Sequence, residues 1–339
     1  MNPNRLNFAV CGLGYYAENW IAPAIAQSAY SSVKAIITGS PAKVSKWQKQ
    51  YNIKDSNVYS YENLDAIAQN PEIDCVYIVT PTGLHCEQTI RCLAAGKHVI
   101  VEKPMAPNAS DCIRMIEASV KANKSLQIGY RLHWDPFHLS IMNAMRKRNY
   151  GDWSIMRSGF SYDQASIAVD NDWRMSRAMN IEGAIYDIGV YVIQSAFYAA
   201  NESPISVQAK SHTSRKALFK EFPEHWEWTF RWSNGQTSHH SSSYGLEENT
   251  LTIETEKGSL GIHSAFGYDG QKGFSPDGKM NYTHLFQQKH QLEGQCRAIL
   301  NLEKSRTPPE MGLRDIQVIN AIVDSAHSKK ELLLTEHKL

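Results

Sequence analysis

Leu6-Asn-Phe-Ala-Val-Cys-Gly12-Leu-Gly-Tyr-Tyr-Ala17 decides the fold. The first six residues alternate and then turn apolar, as a first buried strand does. A helix-like run, Glu18–Gln27, follows. Strand, G-x-G-x-x-A turn and helix in that order form the context a dinucleotide fingerprint requires. Gly12 permits the tight turn, Gly14 lets backbone approach a pyrophosphate, and Ala17 allows close helix–strand packing. Leu13, Tyr15 and Tyr16 fill the same turn, where helix N–H groups can meet phosphates.

Outward from this stretch, strand-like and helix-like runs alternate to Gly129. Strands are expected at Val33–Thr38, Asp74–Val79, Val99–Val101 and Ser125–Gly129. Helices are expected at Ala42–Tyr51, Asp65–Asn70, Thr82–Ala95 and Asp111–Asn123. This β–α order over about 125 residues predicts a doubly wound parallel sheet. After Gly129 the pattern changes. Asp135–Arg148, a long apolar helix at Gly183–Ala200 and helices at Leu285–Leu300 and Gly312–Ser328 surround a strand at Asp152–Tyr162 and about five more between 203 and 263. Gly267–Lys279 reads as a glycine-rich loop. The fold class is therefore α/β: an N-terminal Rossmann sheet in residues 1–128, then an α+β domain in 129–339 with a mostly antiparallel open sheet. Trp226, Trp228, Phe230 and Trp232 fall on one side of a strand. That aromatic face needs a cover, either helices or a second subunit, and a homo-oligomer, dimer or tetramer, built on this sheet is expected.

Two stretches carry chemistry. Val99-Ile-Val-Glu102-Lys103-Pro104 is an apolar run that must stop at the proline, which leaves Glu102 and Lys103 at a strand's carboxyl end. Ligands bind at that edge of open α/β sheets, and a partly buried lysine can handle protons. In Gly183-Ala-Ile-Tyr-Asp187-Ile-Gly-Val-Tyr191 the aspartate and tyrosine are four apart on an apolar helix. A carboxylate there needs a partner, either substrate or an arginine such as Arg174.

Composition narrows the partners. The 339 residues carry a formal net charge of +1 with scattered basic residues, so a nucleic-acid partner is not expected. No apolar run approaches a membrane span, and the start lacks a signal-peptide core. Six cysteines without a C-x-x-C pair read as reduced thiols of a cytoplasmic protein. The thirteen histidines show no metal-helix spacing; His133/His138 and His239-His240 come closest, and no metal is expected.

Seven pieces in order then show a resemblance: Gly12-Leu-Gly-x-x-Ala17, Thr80-Pro81-Thr-Gly-Leu84-His85, Gly96 to Pro104, Ile128-Gly-Tyr130-Arg131-Leu-His133, Trp173-Arg174, Asp187 to Tyr191 and Gly312-Leu-Arg-Asp315. Together the chain resembles the Gfo/Idh/MocA oxidoreductases and looks most like their glucose–fructose oxidoreductase-like branch. The resemblance implies hydride transfer between nicotinamide and a carbinol or carbonyl carbon of a sugar or polyol. It implies that Lys103, Asp187 and Tyr191 surround the reacting carbon, with Tyr191 as acid/base, Lys103 as its cationic neighbour or the direct base, and Asp187 orienting substrate. Tyr130 and His133 belong with the substrate residues. Thr80, Pro81, Leu84, His85, Glu102, Lys103, Arg131, Trp173 and Arg174 belong with the cofactor, and a cis Lys103–Pro104 peptide is expected. Many relatives carry His where Tyr191 stands. Similar proteins have two or three glycines before the aspartate; here Glu182 intervenes, adding bulk and charge where that loop approaches substrate. A catalytically silent NADP-binding sensor and a dehydrogenase of a non-sugar cyclic diol are the alternatives.

The cofactor expected is NADP, with NAD possible. An NAD site places Asp or Glu after the second strand to hold the ribose 2′-hydroxyl. This chain has no carboxylate between Glu18 and Asp55, and the turn reads Thr38-Gly39-Ser40-Pro-Ala-Lys43. Two hydroxyls, a close backbone and a cation suit a 2′-phosphate.

Overall fold

Apolar, β-branched runs form β1 (Leu6–Cys11), β2 (Ser31–Ile37), β3 (Val58–Tyr59), β4 (Cys75–Ile78), β5 (His98–Glu102) and β6 (Leu126–Gly129). In this computed structural model, which describes residues 5–164 and 172–334, they pair in parallel in the order β3-β2-β1-β4-β5-β6. That is the doubly wound order, and its direction reverses between β1 and β4. The glycine turn leaves β1 at that switch point. The helix after it opens with a π-helical turn, Ala17–Ile21, before Ala22–Gln27.

The first compact unit is Met1–His133 together with Phe286–Leu313. A boundary at 128/129 leaves out the second of these pieces. Helix Gln287–Ile299 sends Leu292, Cys296 and Ile299 into one apolar core with Phe8, Val10, Ile21 and Trp47. Its remaining buried face is polar, with Gln287, Gln291 and Gln295 spaced by four. A buried amide needs hydrogen bonds, and each of these side chains makes at least one, while Gln291 Oε1 has none among the described residues. Gln291 Nε2 donates to Tyr77 Oη (2.8 Å), Gln295 Nε2 to the Ile128 carbonyl (2.8 Å), and Gln287 Oε1 accepts from Arg131. Such a stripe is weak in hydrophobic periodicity, so the pattern of residues 285–300 does not reveal which sheet the helix serves.

The second unit is Trp134–Leu285 with Arg314–Leu339. Its strands are β7 (Trp153–Ser161), β8 (Ser206–His212), β9 (His225–Arg231), β10 (Thr237–Ser243), β11 (Glu248–Thr255), β12 (Gly258–His263), β13 (Lys272–Ser275), β14 (Gly278–Lys279) and β15 (Leu332–Leu333). Among the described residues they make a nine-stranded sheet, β14-β13-β12-β11-β7-β10-β9-β8-β15. Every pairing is antiparallel except β7 with β10.

Three local expectations are corrected. The glycine-rich stretch is not all loop, because β13 and β14 form a hairpin within it. The long apolar helix is broken: Ala184–Asp187 ends at Ile188 (φ −119°, ψ −26°), and Gly189–Ala200 begins anew. Ser242 Oγ donates to the Ala184 carbonyl (3.0 Å) at the break. The aromatic face is covered from within. Trp226, Trp228, Phe230 and Trp232 are 0–2% exposed, and Phe197 of helix Gly189–Ala200 packs edge-on against Phe230 and Trp232. Those rings therefore give no reason for a second subunit.

Candidate active site

In the first unit the strand ends gather the chemistry. Gly12 holds φ +94°, and a Cβ there would lie 2.9 Å from both Thr80 Cγ2 and the Val79 carbonyl oxygen. Above Gly14 a Cβ would meet nothing within 4 Å. The turn is thus pinned on its sheet side and open where a pyrophosphate would need backbone N–H groups, so these residues fit a dinucleotide. Tyr15 is exposed and Tyr16 packs on the core. After β2, Thr38 Oγ1 accepts from the Ser40 N–H (3.0 Å). Lys43 ends a short 3₁₀ turn and donates to the Leu13 carbonyl (2.7 Å), which brings its charge to the glycine turn. Tyr61 lies against Gly39, 2.9 Å from where a Cβ would stand. No pattern in the sequence singles out Tyr61, which follows the two-residue strand β3.

At the next strand ends, Thr80 Oγ1 donates to Gln88 Oε1 (2.7 Å). His85 is fully buried, with Nε2 2.8 Å from the Thr80 carbonyl and Nδ1 2.9 Å from that of Pro104. Burial pulls its pKa down. His85 therefore ties the ends of β4 and β5 together, a positioning task. The Lys103–Pro104 peptide is cis. Glu102 is buried; it accepts from Tyr77 Oη (2.8 Å), which itself accepts from Gln291. Gly129 leaves room for this carboxyl, since a Cβ there would sit 2.7 Å from Glu102 Oε1. Burial raises the Glu102 pKa to about 7, against the lowering effects of Lys103, Tyr77 and Arg131. Arg131, Tyr130 and Leu132 follow β6 and are buried, and the Tyr130 and His133 rings stand 6.2 Å apart.

The second unit centres on Asp187. Its Oδ2 accepts from Tyr244 Oη (2.9 Å), Tyr162 Oη (3.1 Å) and Arg174 Nε (3.3 Å). Burial first, and the Asp187 carboxylate second, push the Tyr162 and Tyr244 phenols up, so both stay protonated and donate. The arginine that the sequence offered as a structural partner is thus used, with two tyrosines beside it. Neither tyrosine belongs to a recognisable spacing; each follows the end of a strand, β7 and β10. Asn180 Nδ2 donates to Tyr244 Oη and to the Arg174 carbonyl (both 2.9 Å), and the Arg174 guanidinium lies 4.5 Å over the Trp173 ring. Tyr191 is buried, its ring 5.9 Å from Phe160 and 6.4 Å from Phe266. Glu182 is also buried, and its Oε1 is held by Arg177, which donates to the Glu221 carbonyl as well. Burial raises the Glu182 pKa against the lowering effect of Arg177, and Glu182 Oε2 has no hydrogen-bond partner among the described residues.

Two of the four histidines at the nearest metal-like spacings, His138 and His240, are engaged by the fold. His138 faces Tyr198 Oη and the Ala265 carbonyl, and His240 bonds Ser158 and Ser238. Burial brings the His240 pKa down to about 3.

A doubly wound sheet with an open glycine turn at its switch point is the fold of a dinucleotide-binding domain. Residues 6–130 match the model of the GFO/IDH/MocA oxidoreductase family's NAD-binding Rossmann fold, and residues 138–261 match the GFO/IDH/MocA C-terminal domain. The chain belongs to this family. It is similar to the aldose-aldose oxidoreductase of Caulobacter crescentus, solved with glycerol: 31% identity, TM-score 0.92, covering 97% of this chain and all of that one. The NADP+-dependent D-xylose 1-dehydrogenase of Haloarcula marismortui is 21% identical over 98% of this chain and 94% of its own length. The NADP+-dependent scyllo-inositol 2-dehydrogenase of Bacillus subtilis is 30% identical over 135 residues, 40% of this chain and 37% of its own.

Glu102 gives a pH signature. Its pKa is raised in the folded chain, so the fold holds a proton that the unfolded chain releases near the ordinary carboxyl value. This contribution is present at low pH and is lost as pH rises through about 7. Relative to Glu102→Gln, the wild type is expected to lose on the order of 3 kcal/mol between pH 4.5 and 8, measured by urea unfolding at several pH values. Parallel curves for the two proteins would contradict this.

Proposed function

We propose that the chain is an NADP-preferring oxidoreductase acting on a carbinol or carbonyl carbon of a sugar or polyol, and that Lys103, Asp187 and Tyr191 carry the proton chemistry. The observation that supports it most is the Asp187 carboxylate, held by Tyr162, Tyr244 and Arg174 among apolar residues. The names of the relatives supply the substrate class. When bound, the nicotinamide gives or takes the hydride. The chain's own task is to place the substrate hydroxyl and move its proton. Tyr191 is the immediate acid/base, Lys103 supplies the assisting cation, and Asp187 orients the hydroxyl. Tyr162 and Tyr244 are positioning residues that act through Asp187. Gly12 to Tyr16, Thr80, Pro81, Leu84 and Glu102 would hold the cofactor, with Arg131, Trp173 and Arg174. Tyr130 and His133 belong to the substrate side.

The six cysteines are free and buried, which fits the cytoplasmic setting expected for a chain with reduced thiols. Among the described residues no helix is long and apolar enough to cross a membrane. Homo-oligomer formation through the second sheet stays in this reading, without the aromatic face as its motive.

The test of the catalytic assignment is kinetic. Lys103→Ala and Tyr191→Phe are each expected to lower turnover about 10²–10⁴-fold, the usual worth of a positioned proton-transfer group. Binding of NADP+ should persist in both, followed by fluorescence titration. Near-full turnover in either variant, with chemistry rate-limiting, would remove that residue from the mechanism.

The cofactor preference is tested separately. Wild type should bind NADP+ at least about tenfold more tightly than NAD+, a difference of about 1.4 kcal/mol. Thr38→Asp should erase or reverse the ratio by setting a carboxylate against the 2′-phosphate. Equal wild-type affinities would overturn the preference and leave the catalytic assignment standing.

A further inference from the structure

The geometry points to a transition-metal site on the second sheet, made by His212, His225 and Glu227. In the antiparallel pairing of β8 with β9, His212 stands directly opposite His225, and Lys210 opposite Glu227. Residues two apart on a strand share a face, so both histidines and the carboxylate project to one side. One ligand atom from each lies within 4.8 Å of the other two. The imidazoles are 4.6 Å apart centre to centre, and His225 Nε2 is 3.0 Å from Glu227 Oε1.

Among the described residues, the fold holds His225 through fewer hydrogen bonds than the buried His138 and His240. His138 and His240 have both ring nitrogens occupied by the fold. His225 is 5% exposed, yet its Nδ1 has no hydrogen-bond partner. Its ring is held only through Nε2, by the carboxylate that would share an ion with it. Lys210 Nζ binds the other carboxylate oxygen, Oε2, at 2.7 Å. Lys210 thus orients Glu227 with Oε1 toward the imidazoles, as an outer-shell partner does at a metal site.

Two imidazoles and one carboxylate, with His212 exposed, leave a position for water. This donor set suits Zn²⁺, and by the usual affinity order Ni²⁺ and Cu²⁺ also. The ion would tie β8 to β9. No local spacing marks this set, because its histidines lie thirteen residues apart in sequence and meet only through strand register.

The test uses the tag-free full chain, stripped with chelator and titrated with Zn²⁺ against a chromophoric competitor, then with Co²⁺ followed by its visible spectrum. One ion per chain is expected, with a dissociation constant of about 10 µM or tighter. His212→Ala, at an exposed position that the fold tolerates, should weaken binding at least about tenfold and change the Co²⁺ spectrum. Glu227→Gln should do the same. Zn²⁺ should raise the melting temperature of wild type and not of His212→Ala. No binding by wild type below about 100 µM overturns the proposal, as does unchanged binding in both variants.

Discussion

One buried carboxylate organises the second unit. Asp187 Oδ2 takes three donors, two of them phenols that burial keeps protonated. Such an anion persists only where hydrogen bonds replace lost water. Asp187 is the last residue of helix Ala184–Asp187, and Tyr191 lies in the helix that begins anew at Gly189. Arg174 supplies the structural partner, donating to Asp187 Oδ2 beside the two phenols.

The first unit answers to a different constraint: a parallel sheet has its functional edge at the strands' carboxyl ends, where backbone groups run out of partners. Here each end is tied by a polar side chain. Thr80 meets Gln88, His85 meets two carbonyls, and Glu102 meets Tyr77. Behind them the glutamine stripe of helix Gln287–Ile299 supports Tyr77 and the Ile128 carbonyl. The Glu102 carboxyl fits only because residue 129 has no side chain.

What could be read in advance divides by range. The glycine turn, the alternation to Gly129 and the stop at Pro104 are local signals, and the strand order follows from them. Motif order singled out Lys103, Asp187 and Tyr191, and their proton chemistry is a proposal; the structure gives Asp187 the arginine partner that its burial called for. Tyr162, Tyr244 and Tyr61 were not, because each reaches its place through tertiary folding and sits in no pattern. The return of residues 286–313 to the first unit was hidden for a related reason: glutamines contribute nothing to an apolar period. The four-aromatic strand was read correctly as a face needing cover, but periodicity cannot say whether a helix or another subunit supplies it. Phe197 supplies it here.

The central claim is hydride transfer from a substrate carbon, and isotope transfer tests it most directly. The protein would be incubated with NADP+ and a panel of aldoses and polyols carrying deuterium on every carbon, and the reduced cofactor analysed by mass spectrometry. The account predicts one deuterium per reduced nicotinamide for at least one panel member, and none with Tyr191→Phe over the same interval. Reduction without deuterium, or no reduction by any member of the panel, would contradict it.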